Sequence, residues 1–313
     1  MFLKFKKKYI GMEINQDSIN MVTIVKNGNH FKLLRCSREP FPENIINPSF
    51  NKKNILNSEL FLDTVKKIMG EDIDRNRSIG LSVPNETIKF IIQEIDTPLR
   101  SKDKIEQALI HSIENRYHFS LKKIKISYDE VKNNLSGKKK FIVALGRKKV
   151  VGEFEKELKK LKINVKVIRT AGVNQLNLYK DFFPPDSTFA YLGIFKYFLT
   201  LFIFKNAQPA FYQGIKLKQD LSDLQEPLYE TIEPYLDLVI SYFHRQNSNS
   251  HIKQLYIGSS IKDLNRDNEF KTGLASFRNM DVKILDNKIV AFNENEDFFH
   301  YLPAMGAAQS LIV

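Results

Sequence analysis

Three short apolar runs open the chain, at residues 9–14, 18–25 and 30–37, each of the length of a strand. The Asn27-Gly28 pair between the last two supplies the positive φ that a hairpin turn wants. Residues 40–57, rich in Pro and Asn, follow as a surface loop. Leu62, Val65 and Met69 then recur at helical spacing, and Gly70 stops that helix. A strand at 79–83 ends at Pro84.

From Asn85 the rhythm changes. A β-prone run at 87–95 is broken at Thr97-Pro98, and Ser101 caps a helix whose apolar stripe is Ile105, Leu109, Ile113 and Tyr117. Strands at 124–131 and 141–145 flank a turn at 133–140. A helix carrying Val151, Phe154, Leu158 and Leu161 shows a lysine-rich outer side, and a further strand ends near residue 168. Strand, helix, strand, strand, helix, strand suits a small α+β module set into a larger fold. Past the Pro184-Pro185 punctuation the opening pattern returns, with runs at 189–195, 197–205 and 208–212. A helical stretch at 221–245 is expected to turn Tyr235, Leu238, Val239, Tyr242 and Phe243 inward, with Pro234 at a start or kink. Strands at 254–258 and 281–285 and a small-residue helix at 303–311 close the chain.

Composition narrows the classes. With 313 residues, 42% hydrophobic and 27% charged, the chain has room for one large or two ordinary globular domains. Cys36 is the single cysteine, which excludes an internal disulfide framework and points to a reducing compartment. No apolar run reaches the roughly 20 residues that cross a bilayer. The net charge of +12 is spread in small lysine groups without zinc-finger or RNA-recognition spacing, so no nucleic-acid partner is expected. The basic, aromatic start at 1–8 reads either as a solvated tail or as an arm in peripheral contact with anionic lipid. The six histidines make no metal spacing, and no nucleophile elbow or Cys/His pair is present.

Two strand-rich halves that each open on a meander, with a module set into the first, are the plan of the actin, heat-shock ATPase and sugar-kinase group. The chain resembles the PilM family of type IV pilus assembly proteins and, more distantly, FtsA. The likeness rests on Ile10-Gly11-Met12-Glu13-Ile14 followed by Ser18-Ile19, on Thr97-Pro98-Leu99, and on Phe189-Ala190-Tyr191-Leu192-Gly193. Gln254-Leu255-Tyr256-Ile257-Gly258-Ser259 and the ending at 302–308 complete it. It implies an α/β actin-like fold: a first lobe at 1–84 continued at about 166–186, an FtsA-like α+β insert at 85–165, and a second lobe at 187–313.

The resemblance also places a nucleotide cleft, and there the chain departs from the family pattern. Glu13 stands where the family has the metal-linked aspartate, Asn15 where it has glycine, Gln16 where it has a hydroxyl residue, and Asn20 where it has lysine. In the second half Tyr191 stands for the aspartate before Gly193, while Gly258-Ser259 stands for the adenine-side Gly-Gly pair. A phenol cannot anchor a metal at neutral pH, and Lys196 reads as a solvated strand end. Phosphoryl transfer depends on positioned charge, so an enzyme is not expected, and neither ATP with magnesium nor any other metal is expected to bind.

The resemblance implies instead a cytoplasmic scaffold on the inner face of the inner membrane. Its partner would be a bitopic protein like PilN, whose tail lies in a groove lined by Ile88, Phe90, Ile105 and Leu109. The alternatives are a working nucleotide-binding ATPase and the cytoplasmic platform of a type II secretion-like system.

Overall fold

The apolar runs at the start form β1 (Lys8–Ile14), β2 (Ser18–Asn27) and β3 (His30–Pro40), an antiparallel meander with Glu13 opposite Asn20 and Ile14 opposite Ile19. The computed structural model describes residues 7–27, 30–42, 45–70, 78–95, 101–117, 121–131, 139–206, 208–247, 251–275, 277–285 and 298–312. The basic arm up to Lys6, the Gly28-Asn29 turn, the Thr97-Pro98-Leu99 step and most of the turn expected at 133–140 lie outside these residues. The 40–57 loop is less a surface feature than its composition suggests. Ile46 bridges Ile55, and Ile45, Ile46 and Ile55 are buried.

Helix α1 (Ser58–Met69) begins at Asn57, whose side chain accepts from the N–H groups of Glu59 and Leu60. Strand β4 (Ser78–Val83) then runs parallel to β1. The insert follows as β5 (Ile88–Ile95), α2 (Lys102–Tyr117), β6 (Ile124–Val131) and β7 (Lys139–Arg147), with β7 central in its three-stranded sheet. Next come α3 (Lys148–Lys160), β8 (Asn164–Thr170) and α4 (Ala171–Tyr179).

Here the structure moves the expected boundary at residue 165. Phe154 and Leu158 of α3 pack in one buried cluster with Ile10, Met12, Phe61, Val65 and Leu81, and β8 pairs in parallel with β4. Both elements therefore belong to the first lobe. The reason is the apolar stripe of α3, which covers the face of the first sheet that α1 alone leaves open.

The second lobe repeats the order. Strands β9 (Phe189–Phe195), β10 (Phe198–Lys205) and β11 (Gln208–Lys216) form a meander, followed by α5 (Leu228–Gln246), β12 (Gln254–Ser259), α6 (Asn268–Leu274) and β13 (Asp281–Ile284). The first sheet is ordered β3-β2-β1-β4-β8 and the second β11-β10-β9-β12-β13, with the last two strands parallel to the first strand of each meander. The inward face of α5 differs from the expected one. Leu228, Ile232, Leu236, Val239, Ile240 and Phe243 are buried, whereas Leu238 is 64% and Tyr242 45% exposed.

The last helix, α7 (Leu302–Gln309), lies with α4 between the two sheets. One shared apolar layer contains Val22 and Ile24 of the first sheet, Tyr179 of α4, Phe189, Tyr191, Phe202 and Tyr256 of the second, and Leu302, Ala304, Met305 and Ala308 of α7. Glycines let the layer close. A Cβ on Gly11 would stand 1.9 Å from the Ala304 carbonyl oxygen, one on Gly80 2.0 Å from that of Ala307, and one on Gly306 2.1 Å from that of Asn174. Each obstacle is backbone, so no side-chain rotation relieves it.

Gly306→Val should therefore cost about 3 kcal/mol or more, or abolish folding, because two backbones must separate. Gly152, in the middle of α3, has nothing within 4 Å of a built Cβ. Gly152→Ala is expected to add about 0.5–1 kcal/mol of helix stability. Urea unfolding followed by circular dichroism checks both.

Candidate functional site

The β1–β2 turn and the β9–β10 turn face each other across a cavity of about 250 Å³, lined among others by Glu13, Asn15, Gln16, Asp17, Arg38, Glu86, Lys196 and Tyr197. Paired hairpins meeting at the mouth of two lobes put a ligand of one lobe within reach of the other. The side chains that occupy this mouth decide what it can hold.

Glu13 sits on the same face of β1 as Gly11, beyond the edge of α7, and is 1% exposed. Asn20, its cross-strand partner, donates through Nδ2 to Glu13 Oε2 at 2.9 Å and to the His300 carbonyl at 2.7 Å. Burial outweighs that hydrogen bond and the distant Arg38 charge, so the carboxyl is pushed up to about 8. At neutral pH it is an uncharged acid. Asn15 is half-buried, its N–H bonded to the Ser18 carbonyl at 2.9 Å, and Gln16 is exposed at the tip of the turn.

Tyr191 is fully buried, and its hydroxyl donates to Gln175 Oε1 at 2.8 Å, while Gln175 Nε2 donates to Ser260 Oγ at 2.8 Å. Burial and the neighbouring Tyr179 raise its pKa well above the ordinary value, so no anion forms there. Gly193 and Gly258 pair with each other across β9 and β12 rather than lining the cavity. A Cβ on Gly193 would meet Thr200 Oγ1 at 2.5 Å and Gln175 Oε1 at 2.9 Å; one on Gly258 would meet the Tyr191 hydroxyl at 2.7 Å. The close approach these glycines permit is thus to side chains of the protein itself. Of the positions that the resemblance placed in the cleft, Glu13, Asn15, Gln16 and Asn20 come together around the cavity, and Gly193 and Gly258 do not join them.

Lys196 is not a solvated strand end. Its Nζ donates to Asp17 Oδ2 at 2.8 Å and lies 2.9 Å from Asp220 Oδ2, so it joins the first lobe to the second. Asp220 is itself held by the Ser222 N–H at 2.8 Å and hydroxyl at 2.6 Å. Burial acts to raise the Asp17 carboxyl, but the hydrogen bond and charge of Lys196 outweigh it and leave the pKa below the usual carboxylate range. The same partners raise the Lys196 ammonium against the opposing effect of its burial. Arg38 approaches Asp17 at 3.9 Å.

Sequence reasoning passed over Asp17 and Asp220. The signal was an acid in one hairpin turn and a lysine in the other, which gains meaning only once the hairpins are known to face each other.

These residues do not fit a magnesium nucleotide. The acid at the metal position is neutral and capped by Asn20, its second-lobe counterpart is a phenol, and the Lys196 ammonium is already neutralised by two carboxylates. Among the described residues no group of three or more His, Cys, Asp or Glu side chains is placed to hold a metal ion.

The four residues expected to line a peptide groove divide between two faces of the insert sheet. Ile105 and Leu109, on the inner side of α2, are buried with Ile95, Phe141, Val143 and Leu145 and pack near the half-buried Ile91. Strand alternation sends Ile88, Phe90 and Ile92 to the opposite face, where Phe90 meets Tyr212 of β11 edge-on with ring centroids 5.3 Å apart. Ile105 and Leu109 are therefore core of the insert and cannot share a groove with Phe90.

A family model described as type IV pilus assembly protein PilM matches residues 11–194. No curated protein matches the chain. Among solved structures, the chain is similar to the "PilM-PilN type IV pilus biogenesis complex", with TM-score 0.76 and 14% identity over 99% of this chain and 100% of that one. It is similar to the cytoplasmic domain of EpsL, an inner membrane component of the type II secretion system of Vibrio cholerae, with TM-score 0.53, 8% identity and coverages of 97% and 95%. A Bacteroides thetaiotaomicron protein with an actin-like ATPase fold gives TM-score 0.50 and 12% identity over 97% and 98% of the two chains. At such identities the structural likeness carries the fold, which is actin-like.

The buried acid predicts a pH dependence. Its pKa is about 8 in the folded chain against an ordinary value of 4.5, so between these values the unfolded state has released a proton that the folded state keeps. The contribution of Glu13 to stability is therefore present below about pH 4.5 and is lost as pH rises through about 8. Glu13→Gln, which still accepts from Asn20, should remove this slope and be the more stable protein at pH 8, as read by urea midpoints across pH 5–9.

Proposed function

We propose that this chain, which belongs to the PilM family of type IV pilus assembly proteins, is a non-catalytic actin-like scaffold that holds the cytoplasmic tail of a bitopic, PilN-like membrane partner. It works at the cytoplasmic face of the inner membrane, with no helix among its described residues long and apolar enough to cross it. The observation that carries the non-catalytic reading is the occupancy of the cleft mouth. Both hairpin turns direct their charged groups at each other, and the family's acid position holds a neutral, capped carboxyl. Among the described residues that line the cavity, Arg38, 3.9 Å from Asp17, is then the one Lys or Arg side chain left to oppose the charge that develops on a transferring phosphoryl group.

The partner reading is supported by the similarity to a PilM-PilN complex over the full chain. In this protein the face that suits an extended peptide is the side of the insert sheet turned away from α2. There Phe90 and Ile92 of β5 lie opposite Ala144 and Ile142 of β7, and all four are half-buried. Arg169 of β8, whose guanidinium pKa is lowered by burial against the opposing charge of Asp129 of β6, borders the same side. An edge strand such as β5 offers main-chain groups for affinity while the alternate side chains give specificity.

Titration of the protein with labelled peptides from the cytoplasmic tails of candidate bitopic partners should give one saturable complex. Ile92→Asp, in the apolar strip, should weaken it at least tenfold, roughly the effect of losing one anchor residue. Ile105→Ala should instead destabilise the insert by about 2–5 kcal/mol without a selective loss of binding. Magnesium-ATP should give no turnover. Hydrolysis abolished by Glu13→Gln, or failure of every membrane partner's tail to bind, would overturn the reading.

A further inference from the structure

Three regions outside the peptide face hold unexplained chemistry. A pocket under α5 exposes Leu238 and Tyr242 beside β11, but nothing on the surface says what covers it. A second gathers His244, His251, Lys253 and Arg278, whose guanidinium is already bound by Asp237 at 2.7 Å. The third is the ion-pair chain at the cleft mouth, and its geometry leads furthest.

We infer that Lys196 is a built-in clamp, a side chain that bridges the two hairpin turns as a bound ligand would and keeps the lobes closed with no nucleotide present. The reading rests on the scaffold role above and adds to it how the cleft is held. Four charges alternate across the mouth: Asp220, Lys196, Asp17 and Arg38, with successive separations of 2.9, 2.8 and 3.9 Å. Each end is fixed. The Asp17 carbonyl accepts from the Phe41 N–H at 2.7 Å and its carboxylate from the Ser18 hydroxyl at 3.0 Å, while the Lys196 carbonyl accepts from the Leu221 N–H at 2.8 Å. With Asp220 anchored by Ser222, opening the lobes would part the Lys196–Asp17 contact and leave Asp17 with the longer Arg38 pair.

The alternation also opposes entry of a polyanion. Phosphate approaching Lys196 would have to displace Asp17 or Asp220 and would face Glu86, which lines the same cavity. A clamp of this kind acts at the mouth alone, since the α4 and α7 layer joins the lobes at the other end. Because side chains of the clamp are about one-third exposed at Lys196 and Asp17, strong salt should loosen it.

The single cysteine allows a direct test. In a Cys36→Ser background, spin labels at Lys66→Cys on α1 and Lys271→Cys on α6 report the separation of the lobes. The clamped protein should give one short distance population that magnesium-ATP at millimolar concentration does not change. Lys196→Met and, separately, Asp17→Asn should add a longer population, the double variant should match the singles, and Lys196→Arg should restore the short one. Hydrogen exchange at residues 15–18 should quicken roughly five- to tenfold in the Met and Asn variants. Unchanged distances and exchange in both of those variants would overturn the clamp and leave the scaffold reading intact. Further closure of the unmodified protein by magnesium-ATP would also overturn the clamp. Turnover of ATP by the unmodified protein would overturn the scaffold reading whatever the labels report. Should Lys196→Met fail to melt cooperatively, Asp17→Asn carries the same test.

Discussion

The architecture depends on how closely α7 approaches the first sheet. Helix and sheet normally stay apart by the width of the side chains that interdigitate between them. Here Gly11 and Gly80, opposite each other on β1 and β4, let the Ala304 and Ala307 carbonyls come nearer, and Gly306 does the same toward Asn174 of α4. The last helix is thereby set against the first strand, and α4 and α7 together become a thin layer between two sheets. Because that layer fixes the position of each meander, it also fixes where the two hairpin turns meet. The chemistry of the cleft follows from a contact that lies some distance away from it.

Legibility in the sequence tracked how clear a pattern each element's packing leaves. The strands of both meanders were plain as continuous apolar runs, since β1, β2, β9 and β10 are buried on both faces over most of their length, and α2 was plain because a single face carries its apolar residues. Helix α4 was missed for the opposite reason. Packed between sheets, it buries Gly172, Asn174, Gln175 and Tyr179 around its circumference, so no apolar stripe stands out. Helix α5 was found, but its buried face was displaced, since Tyr235, Leu238 and Tyr242 are as apolar as the residues beneath them. The placement of α3 was not legible either: its stripe shows that it packs, not against which sheet. The insert is the more instructive case. The period of two along β5 already separates Phe90 from the α2 side, so the division between groove and core could have been read before any coordinates.

At the site, the sequence identified which positions had lost their usual residues but not what the replacements do. Glu13 and Tyr191 share one outcome by different routes. A carboxyl and a phenol, each buried and hydrogen-bonded to an amide side chain, are both uncharged at neutral pH, Glu13 because burial raises it and Tyr191 because a phenol starts high. The Asp17–Lys196 contact joins residues 179 apart in the chain, and no local pattern announces a pairing of that range. It required knowing that the two turns face each other.

The two lobes are held by the shared layer and, less strongly, by the ion pairs at the cleft mouth, with a further contact where Phe90 of β5 meets Tyr212 of β11. In the shared layer Val22 and Ile24 of the first sheet and Leu302, Ala304, Met305 and Ala308 of α7 are buried in one cluster with the aromatic rings of Tyr179, Phe189, Tyr191 and Phe202. Each buried aromatic of that size contributes on the order of 1.5–3 kcal/mol from its apolar area, and that energy is insensitive to salt. At the mouth, a partly exposed ion-pair chain contributes on the order of 1 kcal/mol. The layer around α4 and α7 is therefore the contact that salt leaves unchanged, and the mouth is the one that salt weakens. A substitution in either hairpin turn therefore leaves in place the layer that joins the lobes, and this is why the residues of the turns can vary while the pair of lobes stays intact.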